Sequence, residues 1–471
     1  MSANKRFIPN DAKLPFLAVA MDADAMGLVF EQHFRLFDGI CVQACEIERV
    51  KYRPQRNCLI GYKLRLSDNS GTREQRLYAG MYTSAEASAR FNAALAAECL
   101  PTDFPSVSMI AALNLVVWAF PNDRKLSSIP LLDDPDQLRE HVLPKVVHAR
   151  WGDGWEIVDC VSVISNYFPE HSCCVNVKLS LCHSSNGDRR DWEIIGKHRF
   201  DNAGEQTIAV MAALWAKADE RVYYARPILY QHEQQVLWQQ RVSGVTLNSQ
   251  LTYTLNNSEL LGRVACAIAA LHATAIPTTH RVTRENLIDR LSVAEKVLTE
   301  ACPNDADRLC QLVSTLYERA SSLDVQHECT WHGDLHSNNI LISPDQVYLI
   351  DLDGVCIGAP AAELGSFFAE LIYRGCLNRE PIESVVSSIN GFLEIYQRQV
   401  SWPVSALDIA WYTASALVYE RALRCVTSLK GGHNQIIENL IATALRILTA
   451  NPFVISCRTA VQSANQLSEA A

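Results

Sequence analysis

The chain has 471 residues, 48% hydrophobic and 20% charged, with 52 acidic against 42 basic side chains and a formal net charge of −10. That length exceeds one simple core and asks for two or three domains, and the acidic balance without any basic run argues against a nucleic-acid partner. The only early apolar run, residues 14–21, is short and is followed by Asp22 and Asp24, so no membrane span or signal peptide is expected; sixteen scattered cysteines without CxxC pairs read as reduced thiols of a cytoplasmic protein.

Residues 1–40 read as a lead-in with one short helix. From Cys45 the chain resembles its own later segment. Residues 45–66 laid on 160–181 without a gap agree at seven of 22 positions: Cys45, Tyr52, Pro54, Cys58, Lys63, Leu64 and Leu66 recur as Cys160, Tyr167, Pro169, Cys173, Lys178, Leu179 and Leu181. Chance gives about one or two such matches. The alternation recurs as well: Cys58, Ile60, Tyr62, Leu64 and Leu66 share one face of a strand, as do Cys173, Val175, Val177, Leu179 and Leu181. Helical patterns follow at 85–95 and 204–214, opened by Glu86 and Glu205, and then Trp118 and Trp238 in apolar strand-like runs. Each copy reads as a β-hairpin, a third strand, a helix and closing strands. The third strand of the first copy puts Met81 where that of the second puts Lys197.

The strand through Trp238 leads past Gln240 and Val242 to Gly244, whose freedom lets the chain cross into a new region. Residues 259–273 have helical periodicity and end in Leu271-His272, a histidine expected to be packed and hydrogen-bonded. Residues 284–323 read as one or two amphipathic helices broken at Pro303, and long helices recur over 406–448. The polar residues after Ser456 are expected to fray.

The most informative stretch is 331–354, WHGDLHSNNILISPDQVYLIDLDG. Two short apolar runs, 340–342 and 347–350, flank a Ser-Pro-Asp-Gln turn and predict a buried β-hairpin. Asn339 stands just before its first strand and Asp351 just after its second. Antiparallel pairing brings both to the same open end, where two oxygens can grip one hard cation. Asp334, on the loop entering the hairpin, can reach a nearby hydroxyl. Strand alternation would put Asp353 on the same face as Asp351. His332 and His336 lack a third imidazole or thiolate at metal spacing, which disfavours zinc.

The ordered pattern Asp-x4-Asn, hairpin, Asp is that of kinase catalytic and metal loops, and its form HGDLHxxN with IDLD resembles the aminoglycoside phosphotransferase and choline kinase superfamily. The resemblance implies an α+β, protein-kinase-like bilobal fold with an additional N-terminal small-lobe-like domain: a degenerate cap over 1–140, a nucleotide-binding small lobe over 141–244 and a helical large lobe over 245–471. It implies ATP and Mg2+ as cofactors and a small-molecule hydroxyl as acceptor. Asp334 would be the catalytic base and His332 a brace for its loop; His336 reads either as a phosphate or substrate contact or as a residue packed under the loop. Asn339 and Asp351 would be the magnesium ligands. Lys197 would hold the phosphates with Glu205 as its partner, and the segment with Gln240 and Val242 would read adenine. Glu363 stands where the family has an aspartate that supports the catalytic loop. One departure is the turn at 167–172, which lacks the glycines that let backbone amides approach phosphates. The alternative expectation is a catalytically weak, kinase-like nucleotide-binding regulator.

Overall fold

The computed structural model describes residues 8–34, 40–68, 71–96, 99, 104–201, 203–251, 257–323, 327–429 and 433–455. The tail expected to fray lies outside the described residues. Two compact units emerge: Met1–Trp215 with Ala225–Val242 and Arg424–Asn434, and Ala216–Tyr224 with Ser243–Leu423 and Gln435–Ala471.

The first unit contains the repeat twice. In the first copy, α1 (Leu17–Ala20) and α2 (Ala23–Phe34) precede β1 (Cys41–Arg53), β2 (Asn57–Asp68) and β3 (Gly71–Met81). Then come α3 (Ser84–Leu95), β4 (Val107–Ile110) and β5 (Leu115–Ala119). In the second, α4 (Ile129–Asp133) and α5 (Leu143–Trp151) precede β6 (Trp155–Phe168), β7 (Ser172–His183) and β8 (Arg189–Arg199). They are followed by α6 (Gly204–Ala216), β9 (Tyr223–Tyr224, which pairs in the second unit), β10 (Pro227–Gln231) and β11 (Val236–Gln240). Both sheets are antiparallel and have the same order, β1-β2-β3-β5-β4 and β6-β7-β8-β11-β10.

The duplication reaches further towards the N-terminus than the strands do. Leu14, Leu17, Ala20, Met26 and Phe30 pack under the first sheet as Leu126, Ile129, Leu132, Leu138 and Val142 pack under the second. Each copy starts with a carboxylate that locks its own hairpin turn. Asp11 accepts from the Tyr52 hydroxyl at 2.9 Å and the Gln55 N–H at 2.7 Å. Asp123 accepts from the Tyr167 hydroxyl at 2.7 Å and the Glu170 N–H at 2.9 Å. Gln55 and Glu170 both sit in left-handed backbone, at φ 59° and 58°. The expected lead-in is therefore part of the first copy, and residues 123–151 are its equivalent in the second.

Strand register corrects one equivalence. Cys58 pairs with Met81, but Cys173 pairs with His198, and it is Cys174 that pairs with Lys197. The residue of the first copy in the place of Lys197 is therefore Gly80, opposite Leu59. Met81 is fully buried on the other face, among Cys58, Ile60 and Leu115. A one-residue slip moves a side chain to the opposite side of a sheet. The two tryptophans part for the same reason: Trp118 stacks on Tyr78 on the α3 side, while Trp238 belongs to the core under α4 and α5.

The second unit is mainly helical. Its longer helices are α7 (Ser258–Ala273), α8 (Arg284–Ala301), α9 (Ala306–Ala320), α10 (Pro360–Asn378), α11 (Ile382–Gln399), α12 (Ala406–Ala416) and α13 (His433–Ala450), and Pro303 opens a short turn between α8 and α9. Its strands are β12 (Val245–Thr246), β13 (Cys329–Trp331), β14 (Ile340–Ile342), β15 (Val347–Leu349) and β16 (Cys356–Gly358). The expected hairpin is β14–β15, lying between β12 and β9, while β13 pairs with β16. The described cysteines are free thiols. No helix among the described residues is long and apolar enough to cross a membrane.

Candidate active site

The loop between β13 and β14 carries the candidate chemistry, and it is built from backbone outwards. Gly333 adopts φ +80°, and a Cβ there would lie 1.9 Å from the carbonyl oxygen of Gly354. Two loops thus cross at a pair of glycines, where no side chain fits. His332 is fully buried beneath them. Its Nε2 donates to the Ile350 carbonyl at 2.8 Å, so Nδ1 is the acceptor for the Asp334 N–H at 3.4 Å. The imidazole therefore links the entry loop to the end of β15.

Glu363 and Glu370 of α10 hold the two ends of this loop. Glu363 accepts from the N–H groups of His332 at 3.0 Å and Gly333 at 2.8 Å, and it bonds His272 Nε2 at 3.0 Å. His272 in turn contacts the Tyr396 hydroxyl at 2.6 Å, so it is the packed histidine expected. Seven residues on, Glu370 accepts from both the N–H and the hydroxyl of Ser337, each at 2.8 Å. Burial pushes the Glu370 carboxyl up, but the Arg421 and Arg374 charges and the Ser337 hydrogen bonds outweigh it and hold it below the usual range. Arg374 also reaches the Asn248 side chain, and the Asn248 N–H donates to the Ser337 carbonyl at 3.0 Å. Sequence reasoning missed Glu370, Ser337 and Arg374. The signal available was the seven-residue spacing of two acids on the buried face of one helix.

Between these anchors Asp334 projects its carboxylate outwards, its side chain 64% exposed, with His336 Nε2 at 3.6 Å. His336 Nδ1 accepts from the Asn338 N–H at 3.2 Å, which directs Nε2 towards Asp334. Asn339 is buried and donates its side-chain N–H to the Asp334 carbonyl at 3.0 Å, turning its Oδ1 the other way. The Asn339 carbonyl accepts from the Ile350 N–H at 3.0 Å. Asn339 and Asp351 therefore stand at one end of the hairpin. Asp351 itself is left-handed, φ 64° and ψ 58°, an uncommon conformation for a residue with a side chain. The chain then winds into a short 3-10 turn over Leu352–Gly354. Asp353 is consequently not placed by strand alternation, contrary to expectation.

In the first unit, Lys197 is half-buried in the middle of its sheet, between Cys174 and Leu237. Leu237 pairs with Tyr230, whose ring fills the space a side chain on Gly204 of α6 would need. Lys197 thus lies on the α6 face. Glu205 is exposed in the first turn of α6. Gln240 ends β11 with its N–H donated to the Arg226 carbonyl at 2.9 Å, and Val242 is the last residue of the unit at that point.

Residues 197–380 match the model of the phosphotransferase enzyme family (APH). That segment is therefore similar to the phosphotransferase enzyme family. Its limits run from Lys197 to just beyond α10, so they include every residue of the loop and both of its carboxylate anchors. No curated protein matches the chain. Among solved structures, a thermostable mutant of aminoglycoside phosphotransferase APH(4)-Ia is 13% identical, with 65% of this chain and 98% of that one covered and a TM-score of 0.43. A choline/ethanolamine kinase family protein from Mesorhizobium loti is 11% identical, with coverage of 67% and 97% and a TM-score of 0.41. Choline kinase from Cryptosporidium parvum Iowa II is 13% identical, with coverage of 64% and 94% and a TM-score of 0.39.

Proposed function

We propose that the protein transfers the γ-phosphoryl group of ATP, with magnesium, to a hydroxyl of a small molecule such as a sugar, amino sugar, aminoglycoside or amino alcohol. The observation that carries this reading is the loop 332–339, anchored at both ends by α10, with Asp334 exposed between the anchors. Asp334 orients the acceptor hydroxyl and takes its proton, and His336 steadies the Asp334 carboxylate. Asn339 Oδ1 and the Asp351 carboxylate would hold the metal. Two protein oxygens suit magnesium, which takes its remaining ligands from water and phosphate. Bound magnesium and ATP supply an activated phosphoryl group with its charge partly neutralised. Lys197 neutralises phosphate oxygens, with Glu205 as its proposed partner. Because the Gln240 N–H is already taken, Val242 is the better candidate for contact with adenine.

A coupled ATPase screen against a library of sugars and amino alcohols tests the reading. With an acceptor in hand, Asp334→Asn should lower turnover by about two to four orders of magnitude while circular dichroism stays unchanged. A wild-type rate in that variant removes Asp334 from the chemistry. A regulatory, non-catalytic protein is the second reading, favoured by the glycine-free turn at 167–172. Magnesium-dependent ATP binding without turnover on any acceptor would support it.

A further inference from the structure

The β6–β7 turn of the second copy sits in a socket made by the first. Tyr167, at the base of the turn, packs against the core of its own copy as well as against the first copy's cluster of Tyr78, Tyr82, Val116 and Trp118 on the α3 face. This is the face that, in the second copy, carries Lys197. Its own lysine position is Gly80, and a Cβ there would meet the Tyr82 hydroxyl at 2.4 Å. Tyr82 has therefore filled the space along which a lysine would run. Arg49 of β1 lies with its guanidinium 3.4 Å from the Phe168 ring centroid and donates to Asn166 Oδ1 at 2.6 Å. Arg124, at the join of the copies, donates its backbone N–H to the Tyr78 hydroxyl at 3.1 Å and its Nε to Glu170 at 2.9 Å. Asn166, Tyr167, Phe168 and Glu170 are thus each held, and Asp123 locks the turn from its own copy.

Positive charge gathers beside the same turn. Lys125 Nζ lies 4.2 Å from the Phe200 ring centroid, and that ring contacts His171 at 6.0 Å. Lys51 is two residues beyond Arg49 on β1. The His171 imidazole pKa is lowered by burial first and then by the charges of Lys51, Arg199 and Lys197, with Asp201 opposing them. One imidazole thus feels a lysine from each copy.

We propose that the first copy is a built-in clamp for the phosphate-facing turn of the second, with Arg49 as the positioning residue and Lys51 as an added cation for the phosphate tail of the nucleotide. A glycine-rich turn closes on phosphates through mobile backbone amides and loses conformational freedom when it does so. A turn held in advance loses less, and a fixed cation supplies attraction that the amides of residues with side chains reach less easily. The proposal rests on the nucleotide reading of Lys197 given above.

The test is calorimetric titration of the full-length protein with Mg–ATP and, separately, with adenosine. Arg49→Ala and Lys51→Met should each weaken Mg–ATP by about fivefold or more and leave adenosine within about twofold, because only the phosphate tail is affected. In Arg49→Ala the backbone amides of 168–172 should also exchange hydrogen at least about tenfold faster, a local release of the turn. Wild-type Mg–ATP affinity in both variants overturns the proposal, as does an equal loss for adenosine, which would mean general damage. Should Arg49→Ala fail to fold, the exposed Lys51→Met and the conservative Arg49→Lys, which cannot stack a planar group on Phe168, carry the same test. Lys197→Met run in parallel separates the two ideas. Loss of ATP binding there, with both clamp variants binding normally, overturns the clamp alone; normal binding in Lys197→Met overturns the nucleotide reading and the clamp with it.

Discussion

At the scale of single residues, the candidate site depends on positions where a side chain is forbidden as much as on those where one is required. Gly333 touches the Gly354 backbone so closely that a methyl group would overlap a carbonyl oxygen, and its φ of +80° is one that residues with side chains rarely adopt. Gly333→Ala should therefore separate the two loops and cost more than about 2 kcal/mol of stability. Thermal denaturation measures the loss; a variant with an unchanged melting temperature would show that the crossing is not tight. Asp351 illustrates the converse. It has a side chain, yet occupies left-handed backbone at the end of the hairpin, where strain is retained when the surroundings impose it.

At the scale of elements, α10 is the brace of the loop. Glu363 and Glu370 are two turns apart on its buried face, so one rigid helix fixes both ends of the segment carrying Asp334. The pH dependence follows from the depressed pKa of Glu370. A carboxyl held below its unfolded value contributes stability that is complete above the ordinary carboxylate range and is lost as pH falls through the folded pKa. Acid titration of the melting temperature should show this loss in the wild type. Glu370→Gln leaves Arg374 without its carboxylate, while Arg421 keeps Glu420, so it should be destabilised by about 3–5 kcal/mol at neutral pH and show a flatter acid limb. An acid limb as steep as that of the wild type would remove Glu370 as its source.

At the scale of the molecule, the first unit holds one topology twice, and the two copies differ on the face that carries α3 or α6. The second has a lysine on the α6 face; the first has Gly80 in its place, with Tyr82 filling the space, and that face forms a socket. Restoring a cation to the first copy should not restore a site. Met81→Lys places an ammonium in a fully buried apolar cluster and should cost several kcal/mol, about 3 or more, without adding a second ATP per chain. Lys197→Met should instead keep the fold and abolish the single binding event. Calorimetric stoichiometry with melting curves distinguishes these outcomes. A stable Met81→Lys protein that binds two ATP molecules would contradict the register of β2 and β3.

The sequence by itself determined the local features that short spacings specify. The hairpin at 340–349, the shared position of Asn339 and Asp351 at its end, the loop carrying Asp334 and the existence of a repeat all follow from apolar alternation, turn chemistry and internal identity. These are contacts between near neighbours in the chain, and the pattern of residues states them directly. Only the tertiary structure decided register and long-range anchoring. Matching strands by counting placed Met81 opposite the role of Lys197, because a slip of one residue leaves the hydrophobic pattern almost unchanged while reversing the face. The reading of Asp353 failed because Asp351 turns left-handed and ends the strand. Glu370, Ser337 and Arg49 act on partners 33 to 117 residues away, at distances along the chain over which sequence spacing carries no geometric information.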